Sequence, residues 1–221
     1  MRIVRGLAGL LGELLVTVGV VLVLFVGWQL WWTDVVADAD AGQVVTTLQH
    51  EFTDPALVQP GPVKLGEAFA IVRVPRFGAK FARPLYEGTT REVLMRGVGH
   101  YAATAGPGEV GNFAWAGHRT TYGKPFNQID KLADGDVVLV ETATSYFVYR
   151  VTGHRIVQPS QVSVLLPVPD RPEAEATRAV LTLTSCHPEF SARERYVVHA
   201  ELEAEYPHAQ GVPAEVLKVG E

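Results

Sequence analysis

The chain has 221 residues, with 19 lysines and arginines against 24 aspartates and glutamates, which gives a formal net charge of −5 at pH 7. This acidic balance, without a basic cluster, argues against a nucleic acid partner. The single cysteine excludes a disulfide within the chain, and neither metal-ligand spacing of Cys and His nor a glycine-rich phosphate loop occurs. We therefore expect no cofactor and no metal.

The amino-terminal segment is predicted to be a membrane anchor. Two arginines precede an apolar run from Leu7 to Trp32 that ends in a cluster of tryptophans. The stretch from Leu14 to Trp32 would reach about 28 Å as a helix, close to the hydrocarbon thickness of a bilayer. Aspartates follow at once, at Asp34, Asp38 and Asp40. This charge order predicts a single-pass protein with a cytoplasmic amino terminus and an extracytoplasmic domain.

A cleaved secretory signal is the alternative for this segment, because Ala37-Asp38-Ala39 resembles a small-x-small cleavage site. The apolar run is longer than a signal peptide requires and ends in tryptophans, which favours an uncleaved anchor over residues 1–33. Residues 34–66 are predicted to be an extracytoplasmic stalk, since Asp54-Pro55 and Gln59-Pro60-Gly61-Pro62 cannot continue a helix.

Residues 67–206 are predicted to form one domain, followed by a tail over 207–221. Many short β-type runs separated by turn residues are typical of a closed barrel or a sandwich. Single helical turns are predicted for Thr90–Met95 and Gln128–Leu132, and the proline-rich segment Pro159–Pro172 is predicted to be a loop that forms a wall of a binding groove. The predicted strands are Ala68–Val74, Asn112–Gly117, Asp136–Glu141, Tyr146–Val157, Ala179–Cys186 and Arg195–Leu202.

The lone thiol of Cys186 ends one of these runs. The two-residue period of a strand places Leu181 and Leu183 on one face, and Thr182, Thr184 and Cys186 on the other. A free cysteine is either an inert core residue or a reactive group. Its position among hydroxyl groups, in a segment predicted to face an oxidising compartment, favours the reactive interpretation.

A reactive thiol needs a base or a cation, because an unperturbed cysteine is about 3% ionised at pH 7. His118 is the first candidate, since it closes a predicted strand before a loop; His187, next to Cys186, is the second. Attack on an amide also needs a donor for the oxyanion. Arg195 opens the strand after the cysteine and is preferred over Arg193, which lies in the turn.

These residues together resemble the sortase family. Its motifs are a strand ending T-L-x-T-C, an upstream histidine and an arginine on the next strand, which here read Thr182-Leu183-Thr184-Ser185-Cys186, His118 and Arg195. The sequence departs at Ser185, where the family usually has threonine. The wider segments Ala116–Gly123 and Cys186-His187-Pro188 are similar to the class E sortases of actinobacteria.

The resemblance implies an eight-stranded sortase β-barrel and cysteine transpeptidation. A sortase of this class would cleave a carboxy-terminal sorting signal of LAxTG or LPxTG type between Thr and Gly, through a thioacyl enzyme. An amine of a peptidoglycan precursor of the lipid II type would then take the acyl group. By resemblance, His118 would be the general acid and base, and Arg195 would hold the substrate and its oxyanion.

Other functions remain open from the residues alone. A noncatalytic, membrane-anchored binding module would pack Cys186 as a hydrophobic side chain. A cysteine L,D-transpeptidase would place histidine and glycine directly before its cysteine, and Thr184-Ser185 lacks that order. A papain-like hydrolase would carry its cysteine at a helix start and before its histidine, whereas here His118 precedes a cysteine on a strand.

Overall fold

The structure, a computed structural model, describes residues 2–54 and 62–217. Its first element is a helix, α1 (Arg2–Thr53), which continues without a break beyond the apolar run. Among the described residues it is the one helix long and apolar enough to cross a membrane. Most of the proline-rich breaks predicted between residues 55 and 62, and the last four residues of the predicted tail, lie outside the described residues.

The carboxy-terminal part of α1 packs against the domain. Ala41, Val45, Leu48 and Phe52 are buried, and their spacing of three or four residues forms one stripe of the helix that contacts Ile71. Residues 34–53 of the predicted stalk are thus helical and attached to the domain surface. The division of the chain at residues 33, 66 and 206 stays a prediction.

The domain is a closed barrel of eight strands in the order β1-β2-β3-β4-β7-β8-β6-β5. The pairs β2–β3 and β4–β7 are parallel, and the other pairs are antiparallel. Closure leaves no unpaired sheet edge. The strands are β1 (Ala68–Arg73), β2 (Arg83–Glu87), β3 (Val98–His100), β4 (Gly111–Ala116), β5 (Val137–Glu141), β6 (Ser145–Val157), β7 (Ala179–His187) and β8 (Glu194–Pro207).

The six predicted strands are present within one or two residues at most of their ends, although β8 extends five residues beyond its predicted end at Leu202. Two strands were missed, β2 and β3. The first contains Pro84 between charged ends, and the second has only three residues, so neither shows an alternating apolar pattern. The predicted helical turns are present as α2 (Arg91–Leu94) and a 3-10 turn (Ile129–Lys131).

The barrel interior is filled by inward-facing side chains, among them Phe113 and Trp115 of β4 and Leu181 and Leu183 of β7. All four are fully buried. Because side chains alternate along a strand, the even-numbered residues of β4 and β7 project from the outer surface of the barrel. The site predicted from the sequence lies on this outer surface.

Candidate active site

Cys186 lies on the outer face of β7, in the set that includes Thr182 and Thr184. The two leucines at 181 and 183 point into the core, as the alternation predicts. The cysteine is free and partly exposed. Its thiol is therefore outside the hydrophobic core, where a substrate can reach it.

Arg195 stands directly opposite Cys186 in the antiparallel register of β7 and β8. Directly opposed residues lie about 4.5–5.5 Å apart at Cα and project from the same face. In this structure Nη1 of Arg195 donates to the carbonyl oxygens of Ala192 and Glu194, both at 2.9 Å. Arg193 precedes β8, is exposed and has no partner in the β7–β8 register.

His118 reaches the same face from the other side of β7. Ala116, the last residue of β4, pairs with Thr184 in the parallel register, and the backbone N–H of Gly117 donates to the Thr184 carbonyl at 3.1 Å. His118 lies two residues beyond Ala116, as Cys186 lies two residues beyond Thr184. The candidate nucleophile and cation are thus on β7 and β8, and the candidate base follows the end of β4, the other neighbour of β7.

The imidazole of His118 is half-buried. Its ring centroid lies 5.0 Å from that of Tyr122, and its buried Nε2 has no hydrogen-bond partner within residues 2–54 and 62–217. Burial lowers the pKa of His118 below its usual value of 6.5, because desolvation disfavours the charged form. The resting imidazole is therefore neutral at neutral pH and able to accept a proton.

Ser185, the departure from the family motif, has a structural role. Its buried Oγ donates to the carbonyl oxygen of Gly117 at 2.8 Å. This bond joins the residue before Cys186 to the residue before His118. A threonine hydroxyl could make the same bond, so the substitution preserves the link between the two strand ends.

Arg119 was not predicted as a site residue, yet its guanidinium contacts the cysteine strand directly. Nη1 donates to Nδ1 of His187 at 3.2 Å and lies 3.5 Å from the carbonyl oxygen of Cys186, while Nη2 pairs with Asp130 at 2.8 Å. The side chain is only 4% exposed. His187 is thereby held away from the outer face, which leaves His118 as the better placed histidine.

Buried hydroxyl groups lie along the outer face of β7 before Cys186. Oγ1 of Thr184 donates to the Trp115 carbonyl at 2.9 Å and lies 3.1 Å from the hydroxyl of Tyr101. Thr182 pairs with Nδ1 of His199 at 3.0 Å. Within the described chain, no three His, Cys, Asp or Glu side chains come together as a metal site would require.

The β6–β7 loop (residues 158–178), which contains a 3-10 turn at Val162–Leu165, packs on the outer face of the barrel. The buried Nδ2 of Asn112, on the outer face of β4, donates to the carbonyls of Val164 and Leu166, both at 3.0 Å. Val164 also packs against Val157 and Val197. The loop predicted to form a groove wall therefore lies against the strands that carry the candidate site.

Comparison with known proteins agrees with this arrangement. The sortase domain family model matches residues 72–203. The chain belongs to the sortase family. Sortases are cysteine transpeptidases, and both the predicted family and the predicted eight-stranded barrel are confirmed.

The relatives include class E sortases of Streptomyces. The chain is 41% identical over 211 residues to sortase SrtE1 of Streptomyces coelicolor, covering 92% of this chain and 59% of that protein. It is 34% identical over 216 residues to sortase SrtE2 of the same organism, covering 91% and 84%. The chain thus spans about three fifths of the length of SrtE1.

Two solved structures show the same domain. Sortase E from Streptomyces avermitilis is 42% identical, with a TM-score of 0.63 over 70% of this chain and 99% of that one. Sortase E1 from S. coelicolor, solved with a tripeptide in the active site, is 37% identical, with a TM-score of 0.62 over 69% and 98%.

Proposed function

We propose that this sortase is a membrane-anchored transpeptidase that cleaves a carboxy-terminal sorting signal of LAxTG or LPxTG type between Thr and Gly. The acyl group then passes to an amine of a peptidoglycan precursor, which attaches a secreted protein to the cell wall. One observation supports the proposal: Cys186 on β7 stands opposite Arg195 on β8, and His118 follows the end of β4, the other neighbour of β7.

Acylation begins with the neutral imidazole of His118 accepting the thiol proton of Cys186. The thiolate attacks the carbonyl carbon of the threonine, and the negative charge moves onto the carbonyl oxygen. Arg195 supplies the positive charge that stabilises this oxyanion. The bond to the glycine nitrogen then breaks, His118 returns its proton to the leaving amine, and a thioester remains on Cys186.

In the Arg195 position described above, the guanidinium donates to two carbonyls of the β7–β8 turn. A change of the Arg195 side-chain rotamer would exchange these hydrogen bonds for hydrogen bonds to the substrate. Its placement opposite Cys186 is fixed by the backbone register, so the substrate-bound rotamer requires no change in the barrel.

Deacylation reverses the proton flow. An incoming amine attacks the thioester carbonyl while His118 accepts a proton from the amine nitrogen, and the Cys186 sulfur leaves as a thiolate that recovers a proton. The amide bond broken in the first step is replaced by another amide bond. No external energy source is needed, which suits an enzyme that works outside the cytoplasm.

We propose that the signal peptide binds beside Cys186, next to the β6–β7 loop. The S. coelicolor sortase E1 structure holds a tripeptide in its active site, which supports this placement by similarity. Leu165 and Leu166 of this loop are partly exposed and offer a surface for a nonpolar side chain of the peptide. The preference between LAxTG and LPxTG is left to experiment.

Helix α1 supports the membrane location. Its first half is apolar and exposed over several turns, which in water would be unfavourable and in a bilayer is the stable arrangement. The charge order around it favours an amino terminus in the cytoplasm and a barrel outside.

The deciding experiment uses the full chain in detergent with paired LAxTG and LPxTG peptides and an added amine. Mass spectrometry would report which bond is cut, which peptide is preferred and whether the amine is joined. We expect Cys186→Ala to abolish turnover and His118→Ala or Arg195→Ala to reduce it by at least a hundredfold, on the order of a lost oxyanion donor. Arg193→Ala is the matched control and should remain close to wild type.

Turnover by the Cys186→Ala variant would contradict the mechanism. Loss of activity in Arg193→Ala with retention in Arg195→Ala would show that Arg193, not Arg195, supplies the cation. A noncatalytic binding module predicts a different pattern, in which the wild-type chain binds the peptide, no product forms and Cys186→Ala binds equally well.

A further inference from the structure

Two aspartates of α1 contact the loop that follows the candidate catalytic histidine. Oδ2 of Asp34 pairs with Nζ of Lys124 at 2.7 Å, and Oδ1 of Asp34 accepts from the backbone N–H of Gly123 at 3.3 Å. One turn later, Oδ1 of Asp38 pairs with Nη2 of Arg83 at 2.6 Å. The same Arg83 nitrogen donates to the carbonyl oxygen of Gly123 at 3.3 Å. Asp34 therefore holds the backbone of Gly123 directly, and Asp38 holds it through Arg83.

The contacted loop, which we call the histidine loop (residues 118–126), has an unfavourable backbone. Tyr122, Gly123 and Lys124 have φ of 54°, 69° and 36°, three consecutive residues in the left-handed region. For a residue other than glycine this conformation is unfavourable, because Cβ comes too close to the following carbonyl oxygen. Such a segment persists only where its surroundings hold it.

The helix approaches this segment closely. A Cβ placed on Gly123 would lie 3.2 Å from Oδ1 of Asp38 and 3.3 Å from Cβ of Ala37. Gly123 is buried at this contact. The left-handed segment is therefore packed against the turn of α1 between Asp34 and Asp38, with an ion pair at each end of that turn.

The segment leads directly to the imidazole. The Tyr122 ring lies 5.0 Å from the His118 ring, and the backbone N–H of Phe126 closes the histidine loop by donating to the His118 carbonyl at 3.0 Å. A change in the Tyr122–Lys124 backbone would therefore move the aromatic ring that covers His118 and loosen the residue itself.

We propose that Asp34 and Asp38 are positioning residues for the transpeptidation proposed above, which they serve by holding the histidine loop in its left-handed conformation. The catalytic unit of this chain then includes a turn of the helix that precedes the barrel. Neither aspartate needs to touch the substrate, and their effect reaches His118 through Gly123 and Tyr122.

The first test compares the full chain in detergent with Asp34→Asn/Asp38→Asn. The control is Asp40→Asn, which removes a charge from the same helix on the side that faces Tyr86 and Arg96. Hydrogen–deuterium exchange over residues 119–126 should become about tenfold faster in the double variant and stay unchanged in the control. This measurement needs no enzymatic activity, so it tests the contact even if the peptides are not substrates.

The second test measures turnover of the preferred sorting peptide. In the double variant kcat should fall about threefold to tenfold while KM stays within twofold of wild type. The residues proposed to bind the peptide are unchanged, whereas His118 is displaced. Reversing one ion pair with Asp34→Lys/Lys124→Glu should recover part of the kcat that Asp34→Lys alone loses.

Wild-type exchange rates and an unchanged kcat in the double variant would overturn the proposal. A loss of kcat without faster exchange would overturn it as well, since the effect would not pass through the histidine loop. A wild-type chain that fails to turn over any sorting peptide would refute the proposed function instead, and the exchange comparison would still decide the role of the two aspartates.

Discussion

Replacement of Arg119 by methionine should weaken both the fold and the chemistry. Methionine keeps the length of the apolar stem and removes the guanidinium, which contacts Asp130, His187 and the Cys186 carbonyl while only 4% exposed. These partners belong to two separate parts of the chain, the turn at Asp130 and the end of β7. The variant therefore removes the polar contacts that join these parts while it keeps most of the packing of the side chain.

The cost follows from the contacts. Asp130 is 47% exposed and regains water when its partner leaves, so the ion pair contributes only about 1 kcal/mol. The charged hydrogen bond to Nδ1 of His187 adds about 1.5–3 kcal/mol. Allowing for partial compensation, we expect a loss of about 2–3 kcal/mol, which for a domain of this size lowers Tm by about 4–12 °C. The strand end at Cys186 would shift with it, and a displacement of reacting groups approaching 1 Å costs up to about a hundredfold in rate.

The assay is a thermal melt in detergent with peptide kinetics on the same sample. The exposed Arg91, on α2, provides the matched control as Arg91→Met. We expect Arg119→Met to lower both Tm and kcat and the control to change neither. A Tm within 1 °C of wild type would refute the bridging role, and a lowered Tm with full kcat would show that Arg119 stabilises the fold without influencing Cys186.

Three further outcomes follow from single contacts. Gly117→Ala places a Cβ 2.7 Å from the Phe126 ring, so it should destabilise the domain by about 1–3 kcal/mol, measured in a thermal melt. The control is the exposed Gly135→Asn, which should cost less because asparagine tolerates the positive φ there. Asn112→Ala releases the β6–β7 loop and should raise KM for the sorting peptide more than it lowers kcat; an unchanged KM would show that the loop does not hold the peptide. Since the pKa of His118 is lowered and its neutral form accepts the thiol proton, kcat/KM should fall with decreasing pH only below pH 6.5, and a fall centred above that value would contradict the assignment.

The sequence predicted the face of Cys186 correctly because alternation along β7 separates leucines from hydroxyls. Arg195 and His118 could be proposed as neighbours of the cysteine from strand order and resemblance; the register sets Arg195 opposite Cys186, and His118 follows the end of the adjacent strand β4. The contacts of Arg119 could not be predicted, because they depend on how the ends of β4 and β7 meet. The attachment of residues 34–53 was also missed, since the stripe of Ala41, Val45, Leu48 and Phe52 shows which face is apolar but not what covers it.

The direction of α1 along the barrel determines how the enzyme would face the bilayer. Asp34, two residues after the last tryptophan, contacts the histidine loop, while Phe52, about 27 Å further along the axis, meets His208 at the opposite end of the barrel. If α1 anchors the chain as proposed, the end that carries the thiol would therefore face the lipid headgroups. A substrate still tethered by its own membrane segment could present a signal that lies only a few residues outside the lipid, and a long spacer before that segment would be unnecessary.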